Sequence, residues 1–532
     1  MAGTEQGHPL SPELFKCYIK ELSERLNNIK GISVPTLNEI PISHLLWADD
    51  LVLLALDKSS LQKMINELWH FSELWGLQVN LEKTAVMIFN KGGRQLKESN
   101  SFTYGKIPIP SAKTYCYLGI TFSLNGGLKT AQQKLRVKGL GAYFSMKNTI
   151  NISAISKKAV VRLFDALVFP VLGYGSNVWL PSTQFAKNIV KETDKQTSTQ
   201  FLRNISQDPL EKVNISFLKW TMGVNKRTSN ATIWGDFGRL PLGVSLVKQL
   251  IDYHNRLALL ETNNSSQLVK HAFVEQKLQN LSWYQTVLNI TNKFDHCAIE
   301  QQNKGRSLLP NSTLIKNRVT DYFREKWEDS RKENKKLAFY NTVKDNFEIE
   351  PYLTQEDQAN TKYVAKLRTS SHKLQIETGR YAPKSNSMHY KVCEHCTSDI
   401  KEDVELLATL PFPDLILETE VHFLVECPKF EEDRSCLNKS LYNDLNTNIK
   451  KIFETEHVAE TSRFIRKLFN KRFPKKVAKE GEDLKAKKKQ TVLTKKAKKK
   501  VAKEGEDLKA KKKQTVLTKK AKKIKKKKVT SL

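Results

Sequence analysis

The sequence predicts an α+β fold at its N-terminal end, followed by a mainly helical body, a small Cys/His module and a Lys-rich tail. Three observations carry this. Up to about residue 125, apolar residues switch between helical spacing and short extended runs, in the order helix, β-hairpin, helix, strand, strand. From about 128 to 380 the helical period dominates and turn clusters are few. From 471 onward the sequence is low in complexity and dominated by Lys. The first pattern suits a small antiparallel sheet with helices on one face.

Residues 1–9 read as a Gly-bearing loop. Ser11-Pro12-Glu13 reads as an N-cap followed by Pro at the first helical position. Leu14, Phe15, Tyr18, Ile19, Leu22 and Leu26 keep helical spacing to about Asn28. An apolar hairpin is expected over 42–56. Ser59 or Ser60 is expected to cap a second helix, whose apolar positions Leu61, Met64, Ile65, Leu68 and Phe71 run towards Gly76. Strands are expected over 85–89 and 115–122, and helices over 129–148 and 156–172.

At 532 residues, 39% hydrophobic and 27% charged, the chain has room for several buried cores. Its net charge of +32 is unevenly spread: residues 471–532 hold 27 Lys/Arg against 6 Asp/Glu. Both body and tail point to a polyanionic partner, nucleic acid first. Seven cysteines, an odd number and mostly far apart, argue against a disulfide framework and for a reducing compartment. The longest apolar stretch, 158–175, is interrupted by Arg162 and Asp165, and the N-terminus lacks a signal-peptide core, so no membrane association is expected. The expected location is nuclear and cytoplasmic.

The most telling segment is His44-Leu45-Leu46-Trp47-Ala48-Asp49-Asp50-Leu51-Val52-Leu53-Leu54-Ala55. Two ionised carboxylates between two apolar runs repel each other, and a bound cation relieves that repulsion. Read alone, the segment suits a surface hairpin with an acidic turn equally well.

Its neighbours are Gly3-Thr4-Glu5-Gln6-Gly7-His8-Pro9-Leu10-Ser11-Pro12-Glu13-Leu14-Phe15 upstream, and Trp75-Gly76-Leu77-Gln78-Val79-Asn80-Leu81-Glu82-Lys83-Thr84 and Tyr117-Leu118-Gly119-Ile120 downstream. In this order these motifs resemble the palm of non-LTR (LINE-type) retrotransposon reverse transcriptases, over about residues 1–440. Trp47 stands where that family more often has Phe or Tyr. The resemblance implies that Asp49 binds Mg²⁺ with Asp50 beside it, and that Gly3, Gln6 and Gly7 lie near template and nucleotide. It makes Lys83 a candidate proton donor to pyrophosphate, and makes an RNA template and a DNA target or primer the partners. Lys83 reads equally as a solvated lysine, and Gly3 and Gly7 as shapers of a loop.

The resemblance also raises an objection. In the family a further Asp stands on a strand before the Gly-Gln-Gly segment, and two-metal chemistry needs carboxylates from separate strands. That strand and the fingers precede the first residue here. The expectation is therefore an N-terminally truncated RNA-directed DNA polymerase with little or no activity alone. A non-catalytic nucleic-acid-binding protein and an inert remnant are the alternatives.

Val168 to Trp179 resembles the family's thumb segment, and Leu367 to Arg380 resembles the stretch before its zinc motif, with basic side chains either on RNA or in solvent. Cys393-x2-Cys396, then 25 residues, then His422-x4-Cys427 supplies three thiols and one imidazole, a set suited to structural Zn²⁺. It resembles the family's Cys-Cys-His-Cys motif. His395 is a competing ligand within the motif. Cys17, Cys116, Cys297 and Cys436 have no matching partners.

Lys475–Lys498 repeats unchanged as Lys499–Lys522. Two copies with few large apolar residues do not make a solenoid, so a disordered segment binding nucleic acid without sequence choice is expected. Lys522-Lys523-Ile524-Lys525-Lys526-Lys527-Lys528 resembles a nuclear import signal. The expected organisation is a partial palm over 1–125, a helical thumb over 126–260, a helical linker over 261–385, a zinc module over 386–440, a helical segment over 441–470 and the tail over 471–532.

Overall fold

The computed structural model describes residues 8–94, 101–152, 154–191, 197–262, 267–295, 309–355, 359–381, 389–397 and 416–474. Gly3, Gln6 and Gly7, Cys297, and the duplicated Lys-rich segment lie outside the described residues. The chain divides into a unit of residues 1–466 and a second unit of 467–532.

The first unit opens with helix α1 (Ser11–Asn27) and helix α2 (Lys58–Trp75). Between and after them lie four antiparallel hairpins: β1 (Thr36–Leu37) with β2 (Ile40–Pro41), β3 (His44–Trp47) with β4 (Asp50–Leu53), β5 (Phe102–Tyr104) with β6 (Ile107–Ile109), and β7 (Thr114–Tyr117) with β8 (Ile120–Ser123). The α+β class holds. Among the described residues the expected sheet is instead four separate two-stranded ribbons, held together by their packing on the helices.

The strand expected over 85–89 forms only a parallel bridge from Val86 to Ser111. Val86 donates to the Pro110 carbonyl at 3.0 Å and accepts from Ala112 N at 2.9 Å. The opposing run contains Pro108 and Pro110, which lack the N–H that a longer ladder needs.

The helix caps also differ from expectation. Leu10 precedes α1 and gives no side-chain cap, so Ser11 is its first helical residue. Asp57 caps α2, accepting from Ser60 N at 2.9 Å and from Ser60 Oγ at 2.6 Å. Those hydrogen bonds hold the Asp57 carboxyl below its usual range. Ser60 Oγ meanwhile accepts from Ser33 N at 2.8 Å, which ties the loop before the hairpins to the helix. Gly76 ends α2 with φ 64°.

Leu22 and Leu26 of α1 and Met64 and Phe71 of α2 form the first core, with Leu51 and Leu53 of β4 packed against it. A second core of Ile65, Val86, Phe102 and Ile109 adjoins it along α2, with Leu53 and Leu61 packed against both. Thus α2 is the shared wall on which both ribbons rest.

The helical body begins with α3 (Lys129–Thr149), α4 (Lys157–Leu167), α5 (Phe169–Leu172) and α6 (Ser176–Trp179). It continues with α7 (Gln184–Val190), α8 (Ser198–Ser206), α9 (Pro209–Met222), α10 (Asn230–Asp236), α11 (Leu242–Thr262), α12 (Gln267–Leu278) and α13 (Ser282–Phe294). Among the described residues no single helix is long and apolar enough to cross a membrane. The bent pair 157–172 and 176–182 passes that test jointly, but Val160, Phe164, Val168, Leu172 and Trp179 are buried in the core.

Arg368 corrects an expectation. It neither reaches out to RNA nor lies in solvent. It is fully buried, 2.8 Å from Glu350 and 3.5 Å from Asp236. Lys344 also pairs with Glu350, and the Tyr352 hydroxyl donates to Asp236 at 2.7 Å. Burial raises both tyrosines of this cluster, Tyr340 and Tyr352, and the Asp236 charge adds to the effect.

Candidate metal centres

The β3–β4 ribbon pairs Trp47 with Asp50, so Ala48 and Asp49 form its two-residue turn. Ala48 takes a left-handed conformation with φ 51°, where a Cβ is disfavoured by roughly 1–2 kcal/mol. Asp49 and Asp50 are exposed at the tip, and Trp47 is 66% exposed beside them. The base of the ribbon is anchored by His44. Its ring nitrogens contact Ser23 Oγ at 2.7 Å and Ser43 Oγ at 2.8 Å, and burial lowers its pKa. The apolar strands thus fix the base in the core and carry the carboxylates out to solvent.

The Tyr117 phenol is raised first by burial and then by the charge of Asp50, which puts these two motifs within electrostatic reach. Tyr115 of the β7–β8 ribbon donates to the Lys83 carbonyl at 3.0 Å. Lys83 sits on the exposed turn closed by Asn80, and no hydrogen bond or ion pair among the described residues joins its ammonium to Asp49 or Asp50.

The thumb-like segment closes on the β7–β8 turn. Tyr174 donates to the Leu118 carbonyl at 3.0 Å, and Trp179 Nε1 donates to the Tyr174 carbonyl at 2.7 Å. A Cβ on Gly119, whose φ is 80°, would stand 2.7 Å from the Tyr174 ring. Tyr117 and Tyr174 are legible in the sequence within the Tyr-Leu-Gly and thumb-like motifs; their interactions with Asp50 and Leu118 come from the tertiary structure.

Among the described residues, one group of three or more metal-ligating side chains converges: Cys393, Cys396, His422 and Cys427, with donor atoms within 4.8 Å of one another. Asp49 and Asp50 are not part of any such group. The Cys396 and Cys427 sulfurs are 3.8 Å apart, Cys393 and Cys427 4.0 Å, and Cys396 Sγ to His422 Nε2 3.4 Å. Tetrahedral zinc, with Zn–S about 2.3 Å and Zn–N about 2.0–2.1 Å, needs separations of about 3.8 Å and 3.5 Å. The donor set fits zinc. It closes with four protein ligands and so suits a structural ion. His395 lies outside the group and faces Lys429 Nζ instead.

Local folding explains the convergence. Cys393 N donates to Ile416 O and Glu418 N to Lys391 O, both at 2.8 Å, which zips the Cys-x2-Cys turn to the chain before His422. His422–Glu426 winds as a wide helical turn closed by Cys427 N on His422 O at 2.8 Å. That turn brings His422 and Cys427 to one side. His422 Nδ1 lies 3.3 Å from Glu426, so the ring presents Nε2 to the thiols. Buried Arg434 donates to the Cys427 carbonyl at 2.8 Å.

Hydrogen bonding from Cys427 pulls the Cys393 thiol down to about 3, and the same contact pushes Cys427 up. Burial raises Cys396. Burial also works against the His422 imidazolium, but Cys393 and Glu426 outweigh it and the net shift is upward.

Glu418 and Glu420 join the module to the preceding helices: Glu418 accepts from Gln375 N at 2.6 Å, and Glu420 lies 3.0 Å from His372 Nε2. Neither carries a sequence signature.

Residues 1–122, which hold the ribbons and the paired carboxylates, match the reverse transcriptase (RNA-dependent DNA polymerase) family. The chain is related to the reverse transcriptases of non-LTR retrotransposons. It is 35% identical over 252 residues to the Pol polyprotein of type-1 retrotransposable element R2 of Popillia japonica, covering 44% of this chain and 41% of that protein. It is 33% identical over 133 residues to the Pol polyprotein of element R2DM of Drosophila melanogaster, covering 24% and 12%. A transposon-derived protein of Caenorhabditis elegans is 27% identical over 211 residues, covering 35% and 72%. The chain therefore spans less than half of these R2 polyproteins.

Proposed function

We propose that these 532 residues act as a retrotransposon-derived nucleic-acid-binding protein and do not polymerise DNA on their own. The observation that carries this is the isolation of Asp49 and Asp50: among the described residues no third carboxylate or imidazole converges on them. Two adjacent exposed carboxylates suit one loosely held Mg²⁺. A two-metal nucleotidyl-transfer site needs more ligands, about 4 Å across the metal pair. Assignment of Gln6 and Gly7 to template and nucleotide, and of Lys83 to the leaving pyrophosphate, is part of this proposal and rests on the family resemblance. In this reading Zn²⁺ is structural, held by Cys393, Cys396, His422 and Cys427. RNA is the principal partner, and the Lys-rich tail adds salt-sensitive affinity. Residence in nucleus and cytoplasm follows from the import-like run at 522–528.

Primer extension on an RNA template, with Mg²⁺ and with Mn²⁺, tests the reading. No extension is expected. Processive extension that disappears in Asp49→Ala would overturn it. In the same preparation, RNA binding that weakens steeply with salt is expected, and loss of residues 471–532 should flatten the salt dependence.

A further inference from the structure

A cavity of about 310 Å³ opens between α6 and α11. Gly173, Gly175, Ser176 and Asn177 line one wall, and Gln249, Asp252, Tyr253 and Arg256 line the other. The α11 residues fall at i, i+3, i+4 and i+7, so they share one helical face. Tyr174, between the two lining glycines, turns the opposite way and bonds to Leu118. The cavity therefore shares a turn with the contact that seats the Tyr-Leu-Gly ribbon.

Its polar groups are unevenly used. Ser176 Oγ donates to Gln249 Oε1 at 3.0 Å, which leaves the amide nitrogen of Gln249 to point elsewhere. Lys248 pairs with Asp252 at 2.6 Å, Ser312 also bonds that carboxylate, and Arg256 stands within its electrostatic reach, so two cations face one anion at this wall. No hydrogen bond among the described residues engages the Asn177 side chain, the Tyr253 hydroxyl or the Arg256 guanidinium. The guanidinium carbon lies 5.8 Å from the centre of the Tyr253 ring, and Trp283 props that ring edge-on at 6.1 Å. Trp283 Nε1 also donates to the Asn177 carbonyl at 2.8 Å, which fixes the opposite wall.

We infer that this cavity receives one unpaired nucleotide of an RNA strand. The inference rests on the nucleic-acid reading above. The chemistry is that of single-nucleotide recognition. A half-buried aromatic ring and a planar guanidinium offer stacking surfaces. The Asn177 carboxamide carries the paired donor and acceptor that read a base edge, and Gln249 adds an amide N–H. The arginine supplies charge for a phosphate. The volume stands at the small end of ligand sites, too small for a helical strand.

The test uses fluorescence anisotropy of the full chain at one fixed salt concentration. The probes are an RNA duplex with a single-nucleotide bulge and the same duplex fully paired. The bulged duplex is expected to bind about tenfold tighter, the size of one base stacked on an aromatic residue. Tyr253→Leu is expected to abolish that preference. Arg256→Gln, an exposed change that leaves the core untouched, is expected to reduce it. Equal affinity of the unaltered chain for both duplexes overturns the inference while leaving the nucleic-acid reading standing. A preference unaffected by both substitutions overturns the assignment to this cavity. Binding to neither duplex overturns the nucleic-acid reading itself.

Discussion

The Tyr174 hydroxyl donates a 3.0 Å hydrogen bond to the Leu118 carbonyl, and the ring occupies the space a Cβ on Gly119 would need. One contact joins residues 56 positions apart and locks the β7–β8 ribbon to the helical body. Gly175 repeats the theme, since a Cβ there would stand 2.7 Å from Ile120 Cδ1.

Gly119→Ala is therefore expected to destabilise the first unit by about 1–3 kcal/mol, because it adds both a clash and a strained left-handed residue. Tyr174→Phe removes only the hydrogen bond and should cost about 1 kcal/mol. Urea unfolding of the two variants checks the order. Equal effects would mean that the ring, and not the Gly119 backbone, adapts.

Purified protein is expected to carry about one zinc per chain by elemental analysis. Cys427→Ser or His422→Ala should lose it, since either leaves three ligands. Chelation should expose residues 389–397 and 416–427 to proteolysis, because the Cys393–Ile416 and Glu418–Lys391 bonds that join them are few. Folded protein with no zinc after exhaustive dialysis would refute the assignment.

Arg368→Met would leave Asp236 and Glu350 buried without their guanidinium. The expected loss is about 3–5 kcal/mol. Denaturant midpoints would register it, and a near-neutral result would mean that Lys344 alone suffices to balance the cluster.

Glu211 gives a pH prediction. It is wholly buried, and burial raises its pKa above 4.5 against the hydrogen bonds from Asn214, Leu242 N and Trp234. The folded state thus binds the proton more tightly than the unfolded state. The contribution is fully present below about pH 4.5 and is lost as pH rises through the raised folded value. Comparison with Glu211→Gln across pH 4–8 should show the slope in the unaltered chain and its loss in the variant.

The α1 and α2 periods, the acidic hairpin and the Cys-x2-Cys…His-x4-Cys spacing were legible in the sequence, because each depends on residues close along the chain. The capping residue of α2 was not. Ser59, Ser60 and Asp57 are all competent caps, and Ser60 was claimed by Ser33 across the fold. The missing strand at 85–89 failed for a similar reason: its β-propensity is real, but its neighbour is proline-bearing.

The sequence alone determined which donor groups this protein offers. The carboxylates at 49 and 50 and the Cys/His set between 393 and 427 are readable because residue type and spacing are properties of the chain. Only the tertiary structure decided how those parts are used. Arg368 left the candidate nucleic-acid surface for a buried ion cluster, Tyr174 became the clasp on Gly119, and Asn177, Gln249, Tyr253 and Arg256 met around one cavity. Each outcome depends on groups tens to hundreds of residues apart, and long-range packing and desolvation leave no local period in a sequence.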